Sequence, residues 1–189
     1  MSRIAVFASG SGSNAQRLME RFAPPHRHAV SLVVCDNPAA GVIARAHRAG
    51  VPTYLCRRGA LAGGELLHTL RAHGAGCIVL AGFLGLIPGE LIGGFPGPIV
   101  NLHPALLPRF GGKGMFGHHV HRAVIAAGEA RSGITIHHVN ERYDEGGIIA
   151  QFDCPVHPDD TPDSLAERIH ALEHRHLGEV VERLLDGQA

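Results

Sequence analysis

The chain has 189 residues, with 17 basic and 17 acidic side chains, a formal net charge of zero and a pI near 7.3. That balance argues against a protein whose main work is binding nucleic acid or an anionic membrane through bulk charge, although it leaves room for a local anion site. Four cysteines (Cys35, Cys56, Cys77, Cys154) lie far apart with no CxxC pair, which suggests reduced thiols rather than a zinc site or a disulfide framework.

Taken from the N-terminus, Ile4 to Ala8 reads as a strand that breaks into glycines too early for a signal peptide. Asn14 to Arg21 follows as a helix with Leu18 and Met19 on one face. Val30 to Cys35 is the next strand, Gly41 to Ala49 a helix, Pro52 to Cys56 a short strand and Leu66 to Ala72 a helix. Cys77 to Leu80 and Ile99 to Leu102 are apolar almost throughout, as strands of a parallel sheet covered on both faces are. The pattern changes near Gly128. Ile134 to Val139 and Ile148 to Val156 read as a hairpin-like antiparallel pair around the loop Asn140-Glu-Arg-Tyr-Asp-Glu-Gly-Gly147. A long helix runs from Ser164 to Leu185, with Ser164 as N-cap, Glu167 completing a capping box and Gly187 ending it. The alternation predicts an α/β fold: one domain over residues 1–189 with a doubly wound, mostly parallel sheet and an antiparallel pair near its C-terminal part. No stretch approaches the ~20 apolar residues of a membrane span, so a cytoplasmic protein is expected.

Four segments carry chemistry. Ala8-Ser-Gly-Ser-Gly-Ser-Asn14 sits between the first strand and the first helix, where glycines let backbone approach a ligand and the helix offers free N–H groups to a phosphate. It lacks the Gly-Lys-Ser/Thr ending of a P-loop and the third glycine of a dinucleotide fingerprint, and a simple tight turn is the competing reading. Asn101-Leu-His-Pro-Ala-Leu-Leu-Pro108 leaves the C-terminal end of a buried strand, where ligands of open α/β sheets bind. Asn101 and His103, at i and i+2, face the same way; a hydrogen-bonded strand end is the alternative. Asp144 stands beside Gly146 and Gly147 in a loop that on its own reads as a plain turn. His170 and Glu173 share one face of the last helix, where Glu173-His174 alone reads as a solvated helix face.

Together these segments resemble the folate-dependent glycinamide ribonucleotide formyltransferases from end to end. The resemblance rests on Ser9-Gly-Ser-Gly-Ser-Asn14 with Gln16, Leu80-Ala-Gly-Phe83, Asn101 to Pro108, Asp144-Glu-Gly-Gly-Ile-Ile-Ala-Gln151 and Glu173-His174. The Asn-x-His-Pro run with the downstream Asp-x-Gly…Gln is shared by the wider formyltransferase group, and the Gly-Ser-Asn loop narrows it. Methionyl-tRNA formyltransferases carry a further C-terminal domain and formyltetrahydrofolate hydrolases an N-terminal regulatory one, for which 189 residues leave no room.

The resemblance implies a catalytic trio of Asn101, His103 and Asp144. It implies a nucleotide site made by Gly10, Ser11, Gly12, Ser13 and Asn14 on the phosphate, with His170 nearby and Glu173 on the ribose hydroxyls. It implies a pterin site against Leu84, Gly85, Leu86 and Ile87 and the backbone from Asn140 through Glu141 and Tyr143 to Asp144. The co-substrate would be 10-formyltetrahydrofolate, the partners small molecules only, and the assembly a monomer or weak homodimer. An amine attacking a formyl carbon makes a negative oxygen, for which Asn101 and His103 are suitable donors; Asp144 beside His103 would hold the imidazole charged and assist proton transfer. Position 85 is glycine where many relatives carry a basic residue, which bears on folate affinity. The stretch from Gly111 to Gly117 is unusually glycine-rich, either a mobile lid or a flexible connection. Among 15 histidines, His118 and His121 share a helical face, but His137 and His138 point to opposite sides of a strand, and no metal is expected. A folate hydrolase, a sugar-nucleotide amine formyltransferase and a non-catalytic dinucleotide-binding module are the rival functions.

Overall fold

The computed structural model describes residues 1–56, 61 and 64–188. In chain order the elements are β1 (Arg3–Phe7), α1 (Ser13–Arg21), β2 (Ala29–Cys35), α2 (Gly41–Arg48), β3 (Thr53–Leu55), α3 (Gly64–Ala72), β4 (Ala75–Leu80), α4 (Gly89–Gly94), β5 (Ile99–His103), α5 (His118–Ala126), β6 (Arg131–His138), β7 (Ile148–Pro155) and α6 (Pro162–Leu185). All seven strands join one sheet in the order β3-β2-β1-β4-β5-β6-β7. The first five pair in parallel, and β6 runs antiparallel to both β5 and β7.

Strand periodicity explains why the central strands lack polar residues. Ile4 and Val6 face one layer, where they pack with Leu18 of α1, Val42 of α2, Val124 of α5 and Ile169 of α6. Ala5 and Phe7 face the other, against Leu66 and Leu70 of α3 and Leu91 of α4. Each fully buried side chain of this size contributes about 1.5–3 kcal/mol, so the two apolar layers carry the fold. None of the described helices is long and apolar enough to cross a membrane.

Three details depart from the sequence expectations. α4 was not foreseen, since three of its six residues are glycine, and α5 was read only as a helical face shared by His118 and His121, because its His-His-Val-His start hides the buried face of Val120, His121 and Val124. β6 starts at Arg131, not Ile134, and is flanked by β5 as well as β7. The N-cap of α6 is Thr161 rather than Ser164. The Thr161 hydroxyl accepts from the Ser164 N–H at 3.2 Å, and the Ser164 hydroxyl accepts from the Thr161 N–H at 3.0 Å. Pro162, with its preset φ, starts the helix two residues before Ser164. Gly187 does end α6, at φ +70°, with its N–H on Leu184 O and the Gln188 N–H on Arg183 O.

Candidate active site

The chain winds outward from β1 to β3, then crosses back to β4 on the other side of β1, and a cavity of about 570 Å³ opens beyond the strand ends at this reversal. Ser9 joins its two banks: its N–H donates to Gly82 O at 3.0 Å, and its hydroxyl accepts from the Leu84 N–H at 3.1 Å.

One end of the cavity is the Gly10–Asn14 loop, all five residues of which line it. Gly12 caps α1 at φ +77°, and a side chain there would meet Val42 Cβ at 2.5 Å, so glycine is required both by backbone and by packing. No side chain caps this helix, and its first turn holds no acidic residue, which leaves its leading N–H groups unclaimed. Asn14 donates to Glu173 Oε2 at 2.8 Å, while its own Oδ1 is buried without a partner. Burial raises the Glu173 carboxyl above the usual range, against the opposing pull of Asn14 and His170. His170 is exposed at the rim of the same cavity.

At the other end Asn101, His103 and Asp144 converge. Asp144 Oδ1 accepts from Asn101 Nδ2 at 3.2 Å, and its Oδ2 lies 3.5 Å from His103 Nδ1. Phe110 O, a pure acceptor, lies 2.8 Å from His103 Nε2, so Nε2 carries a proton and donates. Burial lowers the affinity of His103 for a second proton more than Asp144 and Phe110 raise it. Both features favour a resting imidazole with its proton on Nε2, whereas the sequence expectation was a charged one. Burial also pushes Asp144 upward, but the imidazoles of His137 and His103 and the Gly112 N–H outweigh it, and the carboxyl stays below its ordinary range. Phe110 and Asp144 are the only non-glycine residues with positive φ among those described, at 58° and 59°. Such conformations cost on the order of 1 kcal/mol each, and both strained residues face the same imidazole.

His137 belongs to this group although the sequence pointed elsewhere. Its Nδ1 donates to His138 O at 2.8 Å, which leaves Nε2 bare to accept from Asn101 Nδ2 at 3.1 Å. Both Asn101 amide hydrogens are thus committed, one to His137 and one to Asp144. Three further groups hold the frame. Gly112 N–H donates to Asp144 Oδ2 at 2.9 Å. Thr135 accepts from Leu107 N–H and Gln151 Nε2 and donates to Ala105 O, which fills its hydrogen-bonding capacity and pins the 104–108 turn. Gly146 passes so close to His138 O that any side chain would overlap it, and this close return brings Asp144 back over β5.

Most of the residues expected to form a pterin wall lie on the cavity. Leu84 and Leu86 are half exposed, Ile87 is buried, and all three line the cavity with Gly85, Asn140 and Tyr143. Glu141 does not line it; its carboxylate packs against Gly89 at the start of α4. A side chain at Gly85 would press on the Phe83 ring at 2.8 Å and on Leu61 at 3.2 Å. His121 of α5, absent from the expected set, also lines the cavity; it is 2% exposed, and its Nδ1 has no partner. Burial, with His170, His118 and His103 nearby, pushes it down to about 4. No group of three or more metal-ligating side chains converges among the described residues.

Residues 2–181 match the formyl transferase family model. The chain is 42% identical over 186 residues to the chloroplastic phosphoribosylglycinamide formyltransferase of Arabidopsis thaliana, covering 95% of this chain and 64% of that one. It spans 61% of the Vigna unguiculata counterpart. With the phosphoribosylglycinamide formyltransferase of Bacillus subtilis it shares 37% identity, across 98% of this chain and 95% of the relative. The structure resembles glycinamide ribonucleotide transformylase 1 of Geobacillus kaustophilus, with a TM-score of 0.89, 38% identity and coverage of 98% and 99%. The phosphoribosylglycinamide formyltransferase of Streptococcus pneumoniae gives 0.87, 36%, 98% and 99%. Given a match along nearly its whole length, the chain belongs to the formyl transferase family, in the branch of the phosphoribosylglycinamide formyltransferases.

Proposed function

We propose that the protein transfers the formyl group of 10-formyltetrahydrofolate to the amine of 5′-phosphoribosylglycinamide, a step of purine synthesis. The observation that carries this reading is one cavity holding an anion-ready helix start at one end and the Asn101–His103–Asp144 group at the other. Gly10 to Asn14 take the phosphate, with His170 at the rim, and Glu173 takes the ribose hydroxyls. A folate fits the remaining space, because the half-exposed Leu84 and Leu86 beside Ile87 and Val139 offer an apolar face to a flat ring. Main-chain groups from Asn140 to Asp144 supply its polar contacts.

The bound folate supplies the formyl carbon and a nitrogen leaving group. His103, neutral with Nδ1 bare, takes a proton from the attacking amine and later returns it to the departing nitrogen. Asp144, 3.5 Å away, stabilises the imidazolium formed in between. Asp144 meanwhile holds the Asn101 amide through its other oxygen, so that this amide stands ready as a donor to the formyl oxygen when that oxygen becomes negative. Proton transfer and oxyanion stabilisation are thereby linked through one carboxylate.

An acceptor screen with 10-formyltetrahydrofolate, following release of tetrahydrofolate, tests the proposal. Turnover should require phosphoribosylglycinamide; formate release at an equal rate without any amine would assign the site to a hydrolase.

A further inference from the structure

A peptide unit carries its N–H and C=O on opposite sides. A loop that aims successive N–H groups at an anion must send its carbonyls the other way, and those carbonyls need donors of their own. In this chain α2 provides them. Gly10 O accepts from the Val42 N–H at 3.2 Å, which turns the Ser11 N–H away from α2. Ser11 O accepts from Arg45 Nε at 2.8 Å, which turns the Gly12 N–H the same way. Gly41 leaves room for the approach, since a side chain there would come within 3.1 Å of Ser11 O.

Arg45 is itself held. Its NH1 donates to Gln16 Oε1, and Gln16 Nε2 donates to Glu20 Oε1 at 2.6 Å. The guanidinium is therefore fastened between the loop and α1, behind the cavity wall rather than in it. Gln16, part of the family motif but without a place in the chemistry so far, gains a role as the clamp on Arg45. The positive charge behind the Ser11 carbonyl also polarises that peptide and strengthens the Gly12 N–H as a donor.

We propose that Arg45, clamped by Gln16, is the positioning residue of the phosphate loop: it holds the Ser11 carbonyl outward so that the Ser11 and Gly12 N–H groups face the nucleotide phosphate. The inference rests on the assignment of residues 10–14 to the phosphate. Arg45→Met and Arg45→Lys are compared with the wild type using phosphoribosylglycinamide and its phosphate-free riboside. A charge-assisted hydrogen bond of this kind predicts that Arg45→Met raises the Michaelis constant for the nucleotide roughly tenfold, with kcat and the folate constant little changed. The wild type's preference for the phosphorylated acceptor should shrink by the same factor, and activity on the riboside should not move. Arg45→Lys keeps the charge but not both hydrogen bonds, and should fall in between.

If the wild type prefers the phosphorylated acceptor and Arg45→Met keeps that preference in full, the positioning role is wrong while the phosphate loop stands. Equal losses on nucleotide, riboside and folate in both variants would reduce Arg45 to a general structural contact and overturn the proposal. A wild type indifferent to the phosphate would remove the loop assignment itself.

Discussion

Asn101 and His137 face each other across the antiparallel β5–β6 pair, and the bare Nε2 of His137 accepts one of the two Asn101 amide hydrogens at 3.1 Å. This contact, rather than any touch on a substrate, sets the plane of the Asn101 amide. Replacing His137 by Leu leaves that amide free to rotate and a polar group unpaired. We expect kcat to fall roughly tenfold, the scale of one lost hydrogen bond, with both Michaelis constants within about twofold. Steady-state kinetics on a variant with an unchanged circular dichroism spectrum decides it, and an unaltered kcat would mean that Asn101 is oriented by Asp144 alone.

The same pair shows where sequence reading stops. Asn101 and His103 were legible because two polar residues interrupt an otherwise apolar strand at a spacing of two, next to prolines. Asp144 was legible only through the family resemblance. His137 was not legible, because its meaning comes from lying opposite Asn101, and the sequence paired the 134–139 strand only with the strand after it. His121 escaped for a related reason: α5 begins on three histidines in four residues, and nothing in that run says which one turns inward. The parallel half of the fold, set by uninterrupted apolar runs, was read to within two residues at each strand end. The α6 cap was misplaced because two overlapping capping patterns occur, and only the position of Pro162 separates them.

His103→Ala and Asp144→Asn should each lower turnover by at least ~10², the usual scale of acid–base catalysis. In the first variant the proton carrier is gone. In the second the imidazolium loses its counter-charge, and the Asn101 amide loses the carboxylate that holds it. Near-normal turnover of either folded variant would take that residue out of the mechanism.

Gly12→Val should raise the Michaelis constant for the nucleotide far more than that for the folate. The residue sits at φ +77°, and its new Cβ would run into Val42 at 2.5 Å, so the loop must move where it meets the phosphate. The pterin wall, at the far end of the cavity, is untouched by that shift. Equal loss for both substrates would instead indicate a general folding defect.

Stability should fall between about pH 6.5 and pH 4, in part because of His121. Its folded-state value is pushed down to about 4, below the ordinary value near 6.5, so in this window the unfolded chain binds a proton that the folded chain refuses. Stability then rises with pH, is complete above about 6.5 and is lost as pH falls toward 4. Asp144 acts in the same direction at lower pH, since its folded-state value lies below that of a free carboxylate. His121→Gln removes the first contribution, on the order of 2–3 kcal/mol across the window. Urea unfolding at pH 5 and pH 7 should show a smaller difference in the variant than in the wild type; an identical difference would exclude His121 as its source.

The 111–117 stretch combines an anchored start with a partly exposed apolar tip. Gly112 N–H is fixed on Asp144, and Gly111 passes within 3.1 Å of Asp144 Cβ, measured from where its own Cβ would stand. Beyond them Gly114 and Gly117 have positive φ, Met115 packs partly against the core, and Phe116 is 43% exposed at the cavity edge. A segment so built can swing from its fixed end and cover a bound pair of substrates, which keeps water from the formyl carbon. Hydrogen exchange should show the Gly112 amide protected in the free protein and the amides of residues 113–117 exchanging fast, then slowing in a complex with both substrates in non-reactive form. Phe116→Ser should leave folding intact and increase formate loss relative to transfer, because the cover is less apolar. Slow exchange throughout 113–117 in the free protein, unchanged by ligands, would make this segment a packed connection between β5 and α5 and not a lid.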